Sequence, residues 1–332
     1  MTRAAFPYCA PWWLPGGNAQ TIWAARVSRR HFGPAPRWQR HRWETPDGDF
    51  IDVDEALHAS APQAPLLVLF HGLEGSSASQ YAVAFADFAA AHGLAYAVPH
   101  FRGCSGEINH APRAYHSGDF SEIDWILRRF ASENPGRPLL AVGVSLGGNA
   151  LMRWAGEMEH SAAPLVRAIA AVSSPLDLAA GGYAIGRGFN RLVYTRMFLD
   201  SMVPKALQKL EQHPGLFKRE ALLAARDLYE FDNLFTAPLH GFRDTVDYWT
   251  RASAKPVLHR IRVPALALNA RNDPFVPAVS LPTEQDAGPS VTLWQPAQGG
   301  HVGFPVAHGP FGLPGHVCAM PEAVGNWLLA QL

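Results

Sequence analysis

The sequence is poor in cysteine. It holds only three cysteines in 332 residues, Cys9, Cys104 and Cys318, and none of their spacings matches a metal or redox motif such as C-x-x-C. A chain of this length buries roughly three quarters of its unfolded surface on folding, so its core needs no disulfide bonds. We therefore exclude a disulfide-rich secreted domain and expect a reducing compartment.

An excess of charge of either sign is also absent, because 28 Lys and Arg balance 28 Asp and Glu. Binding to nucleic acid phosphates requires a basic surplus on some face, and so does attachment to anionic lipid by charge alone. Apart from local patches, this balance argues against both classes of partner, and we predict no nucleic-acid partner.

Long apolar runs are missing as well. The first residues lack the apolar run of seven or more that a secretory signal peptide carries. The longest apolar runs, such as residues 65–70, are far shorter than the roughly 20 residues that cross a bilayer. We therefore predict no transmembrane segment and a cytoplasmic protein.

Most of the chain alternates between strand-like and helix-like segments. Residues 1–37 are predicted to be irregular, and residues 40–45 and 50–55 are predicted to form a hairpin around Asp47-Gly48. Later strands are predicted at 65–70, 94–99, 139–144, 168–173, 263–269 and 291–295, and helices at 79–92, 117–132, 146–159 and 321–330. Alternating strands and helices predict an α/β fold whose mostly parallel sheet is covered on both faces.

The alternation stops between residues 177 and 255, where the pattern is helical and rich in aromatic residues. Because ligands of open α/β sheets bind beyond the carboxyl ends of the strands, this segment is well placed to form a lid. An independent helical subdomain is the alternative. The predicted organisation is an N-terminal extension (1–37), a core (38–176 and 256–332) and a helical cap (177–255).

One motif indicates chemistry directly. Residues 143–147 read G-x-S-x-G, immediately after a predicted buried strand and before a predicted helix. This context is typical of a nucleophile elbow, in which small residues permit a sharp turn and the serine is presented at a helix N-terminus. Ser145 is the predicted nucleophile, and a plain glycine-rich turn is the alternative.

A serine hydroxyl needs a base that is oriented by a third group. Only His301, His308 and His316 follow the last predicted strand, where the chain order of α/β hydrolases places the histidine. His301 is favoured because Gly299 and Gly300 precede it and leave room for the imidazole.

The third group is predicted to be an aspartate just beyond a strand end. Asp273 lies four residues after the predicted strand 263–269 and is followed by a proline. An Asx-turn role is its alternative, and Asp286 is the second candidate for the acid. Asp244 and Asp247 lie in the helical segment and are expected to face solvent or hold the lid.

An oxyanion hole needs two backbone donors. We predict the amide of Leu146, directly after the nucleophile, and the amide of Leu73 in the loop after the strand at 65–70. His71 precedes the nucleophile in the chain order and is predicted to shape that loop rather than to act as a base.

A second group of histidine and cysteine residues is a candidate for a metal site or a cysteine nucleophile. His100, Cys104, His110 and His116 lie within 17 residues, but their spacings match no metal signature. No flanking pattern supports Cys104 as a nucleophile. We predict no metal site here.

Several longer stretches resemble the YheT-like α/β hydrolases, which include bacterial hydrolases and eukaryotic α/β-hydrolase-domain lipases. The N-terminal Asn18-Ala19-Gln20-Thr21 is also similar to that family's opening motif, except that Ala19 stands where leucine is expected. The other similar stretches are HGLEGSSASQY (71–81), FRGCSGE (101–107), YHSG (115–118), GVSLGGN (143–149), FTAPLHGF (235–242), RNDPF (271–275) and GGHVGF (299–304).

The resemblance implies an α/β-hydrolase fold with a helical cap. It also implies the same triad, with Ser145 as nucleophile, Asp273 as acid and His301 as base, and hydrolysis of carboxylic esters without a cofactor. The expected partner is a small ester or lipid-like molecule. The aromatic residues of the helical segment favour an apolar acyl or alkyl group.

Two rival functions stay open at this point. An acyltransferase would use the same triad and replace water by an alcohol or thiol. A binding protein with a hydrolase fold would hold a lipid or regulatory ligand under its aromatic lid and would have no need of the three ordered residues.

Overall fold

The computed structural model describes residues 6–307 and 315–332. Its described strands form one eight-stranded sheet. The strands are β1 (Trp38–Glu44), β2 (Phe50–Ala56), β3 (Leu66–Phe70), β4 (Ala95–Pro99), β5 (Leu139–Val144), β6 (Ala168–Val172), β7 (Ala265–Leu268) and β8 (Val291–Trp294).

The strand order across the sheet is β1-β2-β4-β3-β5-β6-β7-β8. Strands β3 to β8 are mutually parallel, whereas β2 is antiparallel to β1 and to β4. The predicted hairpin is thus confirmed and forms one edge of the sheet. Since the six parallel strands end at the same edge, the loops that follow β3, β5, β7 and β8 converge there.

Strand β3 shows why these short apolar runs form the centre of the sheet. Its side chains alternate between the two faces: Leu66, Val68 and Phe70 join one buried apolar cluster, and Leu67 and Leu69 join the other. A strand that is buried on both faces needs apolar residues at every position, which explains the absence of a polar alternation in the sequence.

Helices cover both faces and complete a three-layer sandwich. Helices α3 (Phe120–Glu133) and α4 (Leu146–Met158) pack on the face of Val68, and α2 (Gln80–Ala91) and α12 (Ala319–Leu329) pack on the face of Leu67. The α/β fold with a mostly parallel sheet is therefore confirmed.

The prediction that residues 1–37 are irregular is wrong in part, because Gly16–Arg26 form helix α1. The sequence does not reveal this helix, because it begins with two glycines and its apolar face is only a few residues wide, so it lacks a helical periodicity of apolar residues. Its buried face includes polar side chains, Gln20 and Thr21, which bond to loops distant in sequence.

The segment between β6 and β7 is helical, as predicted. It contains α5 (Leu178–Ile185), α6 (Gly188–Asn190), α7 (Arg196–Gln212), α8 (Arg219–Leu223), α9 (Leu228–Phe231), α10 (Ala237–Leu239) and α11 (Thr245–Ala252), with π-helical turns at Arg191–Thr195 and Asp232–Thr236. We call Leu178–Ala252 the cap. The exact boundaries proposed for extension, core and cap stay predictions.

Candidate active site

Ser145 occupies the sharp turn between β5 and α4. Its backbone has φ 52° and ψ −118°, a conformation that side-chain-bearing residues rarely adopt. A Cβ at Gly143 would lie 2.5 Å from the carbonyl oxygen of Gly147, and one at Gly147 would lie 2.4 Å from the carbonyl oxygen of Phe70. The two glycines of the motif therefore let the strand, the turn and the neighbouring strand approach closely.

Three side chains meet at the carboxyl edge of the sheet. The imidazole Nε2 of His301 lies 2.9 Å from Oγ of Ser145, and its Nδ1 lies 2.9 Å from a carboxylate oxygen of Asp273. Because a carboxylate oxygen accepts hydrogen bonds, Nδ1 is the donor in the contact with Asp273, and Nε2 faces the serine hydroxyl. The structure thus brings together the three residues predicted for the triad.

Asp273 is held by its own loop as well as by the histidine. Its second carboxylate oxygen accepts hydrogen bonds from the amides of Phe275 (2.8 Å) and Val276 (3.3 Å). These bonds form the Asx-type turn that the sequence offered as the alternative role of Asp273. One carboxylate oxygen makes this turn, and the other contacts His301. The Phe275 ring packs 4.2 Å from the His301 ring, so it restricts the imidazole from one side.

The loop after β3 passes directly beside Ser145. The Gly72 amide donates to the Tyr81 hydroxyl (2.9 Å), and the Glu74 amide donates to the Tyr115 hydroxyl (2.9 Å). Among the described residues, the Leu73 amide between them has no hydrogen-bond acceptor. Leu146 begins α4, and the first amide of a helix has no acceptor within the helix.

His71 shapes this loop, as predicted. Its Nδ1 lies 2.7 Å from the carbonyl oxygen of Gly72 and donates to it, and its Nε2 accepts from the Phe101 amide at 3.0 Å. Complete burial lowers the pKa of His71 to about 3, which keeps the ring neutral and suits one donor and one acceptor nitrogen.

A large cleft opens from Ser145 into the space between the sheet and the cap. It is lined mainly by apolar side chains. Its cap-side wall includes Leu178, Ile185, Phe198, Met202, Phe231, Phe235 and Trp249, and its floor includes Leu73, Ser145, Leu146 and His301. An apolar wall beside a polar relay accommodates a molecule with a hydrocarbon part and one reactive polar group.

An ion pair that sequence reasoning missed ties the cap to the loop beside Ser145. Lys205 Nζ of α7 lies 2.8 Å from one carboxylate oxygen of Glu74, and the other accepts from the Tyr115 hydroxyl at 2.9 Å. All three side chains line the cleft. The partners are about 130 residues apart in sequence, so no local pattern could have paired them.

The histidine and cysteine group of residues 100–116 has other roles. His100 contacts Asp54 at 2.9 Å, and the His116 ring packs 4.6 Å from that of His240. Burial raises the pKa of the Cys104 thiol to about 12, so it stays protonated and unreactive. Within residues 6–307 and 315–332, no cluster of His, Cys, Asp and Glu has the geometry to hold a metal ion.

The remaining alternatives lie away from Ser145. Asp286 accepts from the amide and hydroxyl of Thr283, and Asp244 accepts from the Asp247 amide at the start of α11. His316 pairs with Val306 through backbone bonds. His308 lies outside the described residues.

Membrane insertion finds no support in the helices. Across the part of the chain that the structure describes, no helix combines the length and the apolar character that a bilayer span requires.

Known proteins resemble this chain in both sequence and structure. The sequence profile of the α/β-hydrolase fold matches residues 65–307. The YheT protein of Escherichia coli is 41% identical over 84% of this chain and 82% of its own length. Phospholipase ABHD3 of Mus musculus is 30% identical over 88% of this chain and 72% of its own length.

Solved structures agree on the fold. The Pyrococcus furiosus esterase Pf2001 superposes with a TM-score of 0.53 at 13% identity, over 91% of this chain and 95% of that one. Est1E of Butyrivibrio proteoclasticus gives a TM-score of 0.54 at 16% identity, over 88% and 98%. With the profile match and the YheT likeness, these findings show that the chain belongs to the YheT-like α/β hydrolases and is an enzyme of the carboxylic ester hydrolase class.

Proposed function

We propose that Ser145, His301 and Asp273 hydrolyse a carboxylic ester through an acyl-enzyme intermediate. The observation that carries this proposal is the relay of two 2.9 Å contacts, Ser145 to His301 and His301 to Asp273, at the mouth of an apolar cleft. A hydroxyl paired with an oriented imidazole is the arrangement that makes serine a nucleophile near neutral pH.

The reaction begins when Oγ of Ser145 attacks the ester carbonyl and passes its proton to Nε2 of His301. Asp273 stabilises the imidazolium that forms. The tetrahedral intermediate then expels the alcohol, which takes the proton from His301 and leaves an acyl group on Ser145. Water, deprotonated by His301, then attacks this acyl group. The bond between the acyl carbon and Oγ of Ser145 breaks, Oγ takes the proton back from His301, and the acid leaves.

The negative oxygen of the tetrahedral intermediate needs donors that are already in place. The amides of Leu73 and Leu146 are the proposed pair. Support comes from the lack of any described acceptor for the Leu73 amide and from the position of Leu146 at the start of α4. The partial positive charge at the N-terminus of α4 also stabilises the negative oxygen of this intermediate.

The proposed substrate is an uncharged ester with an apolar acyl or alkyl chain. The cap side of the cleft is mainly hydrocarbon and aromatic, and burying each CH₂ of a chain there contributes about 0.8 kcal/mol. The mouse relative is named a phospholipase, which supports a lipid-like ester as the substrate class.

Hydrolysis of p-nitrophenyl esters of increasing chain length tests this proposal. We expect kcat/KM to rise with acyl length until the cleft is filled, and Ser145→Ala to lower turnover on the order of 10³-fold or more. Ester turnover by Ser145→Ala at the wild-type rate would rule out the mechanism.

The acyltransferase alternative predicts a different product. An acyltransferase would form a new ester when a competing alcohol is added, at the expense of free acid.

A further inference from the structure

Helix α1 contacts both loops that carry the proposed acid and base. A Cβ at Gly17 would lie 1.8 Å from the carbonyl oxygen of Asn272, and one at Gly300 would lie 2.7 Å from that of Gly17. These distances leave no room for side chains between the helix and the loops. The helix therefore acts as a fixed surface against which both loops rest.

The histidine loop is unusual because four consecutive amides donate to side chains rather than to backbone carbonyls. The Gly299 amide donates to Gln20 Oε1 (2.9 Å) and the His301 amide to Thr21 Oγ1 (2.8 Å). The intervening Gly300 amide donates to Asn272 Oδ1 (3.0 Å), and the Val302 amide donates to Ser173 Oγ (3.0 Å). Two of these four acceptors come from α1.

Within residues 299–304 the loop is closed by a single backbone hydrogen bond, from the Phe304 amide to the carbonyl oxygen of Gly299 (2.8 Å). Val302 and Phe304 have φ values of 54° and 42°, which non-glycine residues rarely adopt, and Gly300 has φ 64°. Backbone in such conformations persists only where its surroundings determine it. Together with that backbone bond, the four side-chain acceptors hold the loop in this conformation, and His301 lies in the middle of them.

The acceptors on α1 are themselves fixed. Gln20 is fully buried, its Nε2 donates to the carbonyl oxygen of Leu14 (2.9 Å), and its Oε1 also accepts from Asn272 Nδ2 (2.9 Å). The Thr21 hydroxyl donates to the carbonyl oxygen of Gly17 at 2.7 Å, which aims a lone pair at the His301 amide. Asn272 directly precedes Asp273, so one network joins helix, acid loop and base loop.

We propose that Gln20 and Thr21 of α1, together with Asn272, are positioning residues that set the alignment of His301 between Asp273 and Ser145. This inference rests on the proposed triad. None of the three side chains touches the reacting atoms. Their effect is on the fraction of molecules in which Nε2 faces the serine hydroxyl, so their loss lowers kcat and leaves substrate binding in the cleft unchanged.

Thr21→Val tests the proposal, because valine keeps the volume of threonine and removes the acceptor for the His301 amide. We expect kcat on a soluble p-nitrophenyl ester to fall about 10- to 100-fold with KM within about twofold of wild type, since displacements near 1 Å lower rates by such factors. Thr21→Ser restores the hydroxyl and is expected to recover kcat to within about threefold.

Ser28→Ala is the matched control. Ser28 lies just beyond the same helix, is as buried as Thr21, and bonds to the carbonyl oxygen four residues before it, but it does not contact the histidine loop. We expect a comparable fall in Tm and an unchanged kcat. If Thr21→Val keeps kcat within twofold of Ser28→Ala, or if Thr21→Ser fails to recover activity, the positioning role is wrong.

If Thr21→Val does not fold, Asn272→Ala removes the acceptor for the Gly300 amide and carries the test from the loop side, with the same split between kcat and KM expected. Full activity in Asn272→Ala would then overturn the proposal. Failure of the triad itself is distinguishable, because it would show as normal turnover by Ser145→Ala, whatever the Thr21 variants do.

Discussion

At the scale of single residues, the site depends on glycines as much as on reactive groups. Ser145 is held at φ 52°, and the strand, elbow and neighbouring loop fit only because residues 143 and 147 lack side chains. The strained serine thus points its hydroxyl away from the sheet toward His301, with the start of α4 beneath it.

Gly147→Ala is predicted to destabilise the fold. The added Cβ would lie 2.4 Å from the carbonyl oxygen of Phe70 and 2.5 Å from that of His71, and backbone atoms cannot rotate away. We expect the free energy of unfolding, measured by urea denaturation, to fall by about 1–3 kcal/mol. Gly186→Ala is the control, because its nearest contact would be an ordinary 3.4 Å. Equal unfolding midpoints for the two variants would contradict the steric argument.

Sequence alone predicts the three residues of the proposed triad but not the side chains that support them. Ser145 has a local motif, and Asp273 and His301 follow predicted strands, so topology brings them to one edge. Gln20 and Thr21 lie in a stretch that resembles the family's opening motif, but the motif gives them no role, because their partners lie more than 250 residues later in the chain. Only the folded structure shows which distant amides they bind.

At the scale of elements, the cap joins the rest of the chain through specific polar contacts as well as aromatic packing. One such contact is the bond from Tyr194 to Asn18 at the start of α1, and another is the Lys205–Glu74 ion pair. Inside the cap, Asp232 accepts from the Thr236 hydroxyl (2.6 Å) and the Trp249 indole (2.9 Å), which links the second π-helical turn to α11.

Asp232 is predicted to make cap stability depend on pH. Burial raises its pKa from 3.8 to about 6. A carboxyl with a raised folded-state pKa favours folding most below its ordinary pKa, and that contribution is lost as pH rises through the folded value. We therefore expect the Tm of wild type to fall relative to Asp232→Asn between about pH 4 and pH 7, by differential scanning calorimetry.

The exposed Asp200→Asn in α7 is the control for this comparison. Other carboxylates change stability with pH in both proteins, and subtracting the variant from wild type removes their contribution. A difference in Tm that stays constant across the range would show that Asp232 does not titrate as described.

The elements themselves were predictable to very different degrees. Strands β3 and β5 are short, continuous apolar runs, and this pattern is typical of strands in a sheet that is covered on both faces. Helix α1 was missed because its buried face is partly polar and its first turn contains two glycines. Such a helix is stabilised by tertiary contacts rather than by propensity or periodicity.

At the scale of the whole molecule, zero net charge suits the proposed substrate, because an uncharged ester needs no electrostatic attraction toward the site. The sheet brings the residues of the proposed triad to one edge, α1 contacts two of the loops that carry them, and the cap adds the apolar wall of the cleft. The sheet, helix α1 and the cap thus make separate contributions to the site.

The most direct test of the central claim is mass spectrometry of the full-length protein after reaction with a long-chain fluorophosphonate. This reagent phosphonylates activated serines and forms an adduct that does not turn over. We predict one adduct per chain, mapped to the peptide that contains Ser145, with loss of esterase activity in the same proportion and no adduct on Ser145→Ala. An adduct on another residue, or full activity after complete labelling of Ser145, would contradict the proposed mechanism.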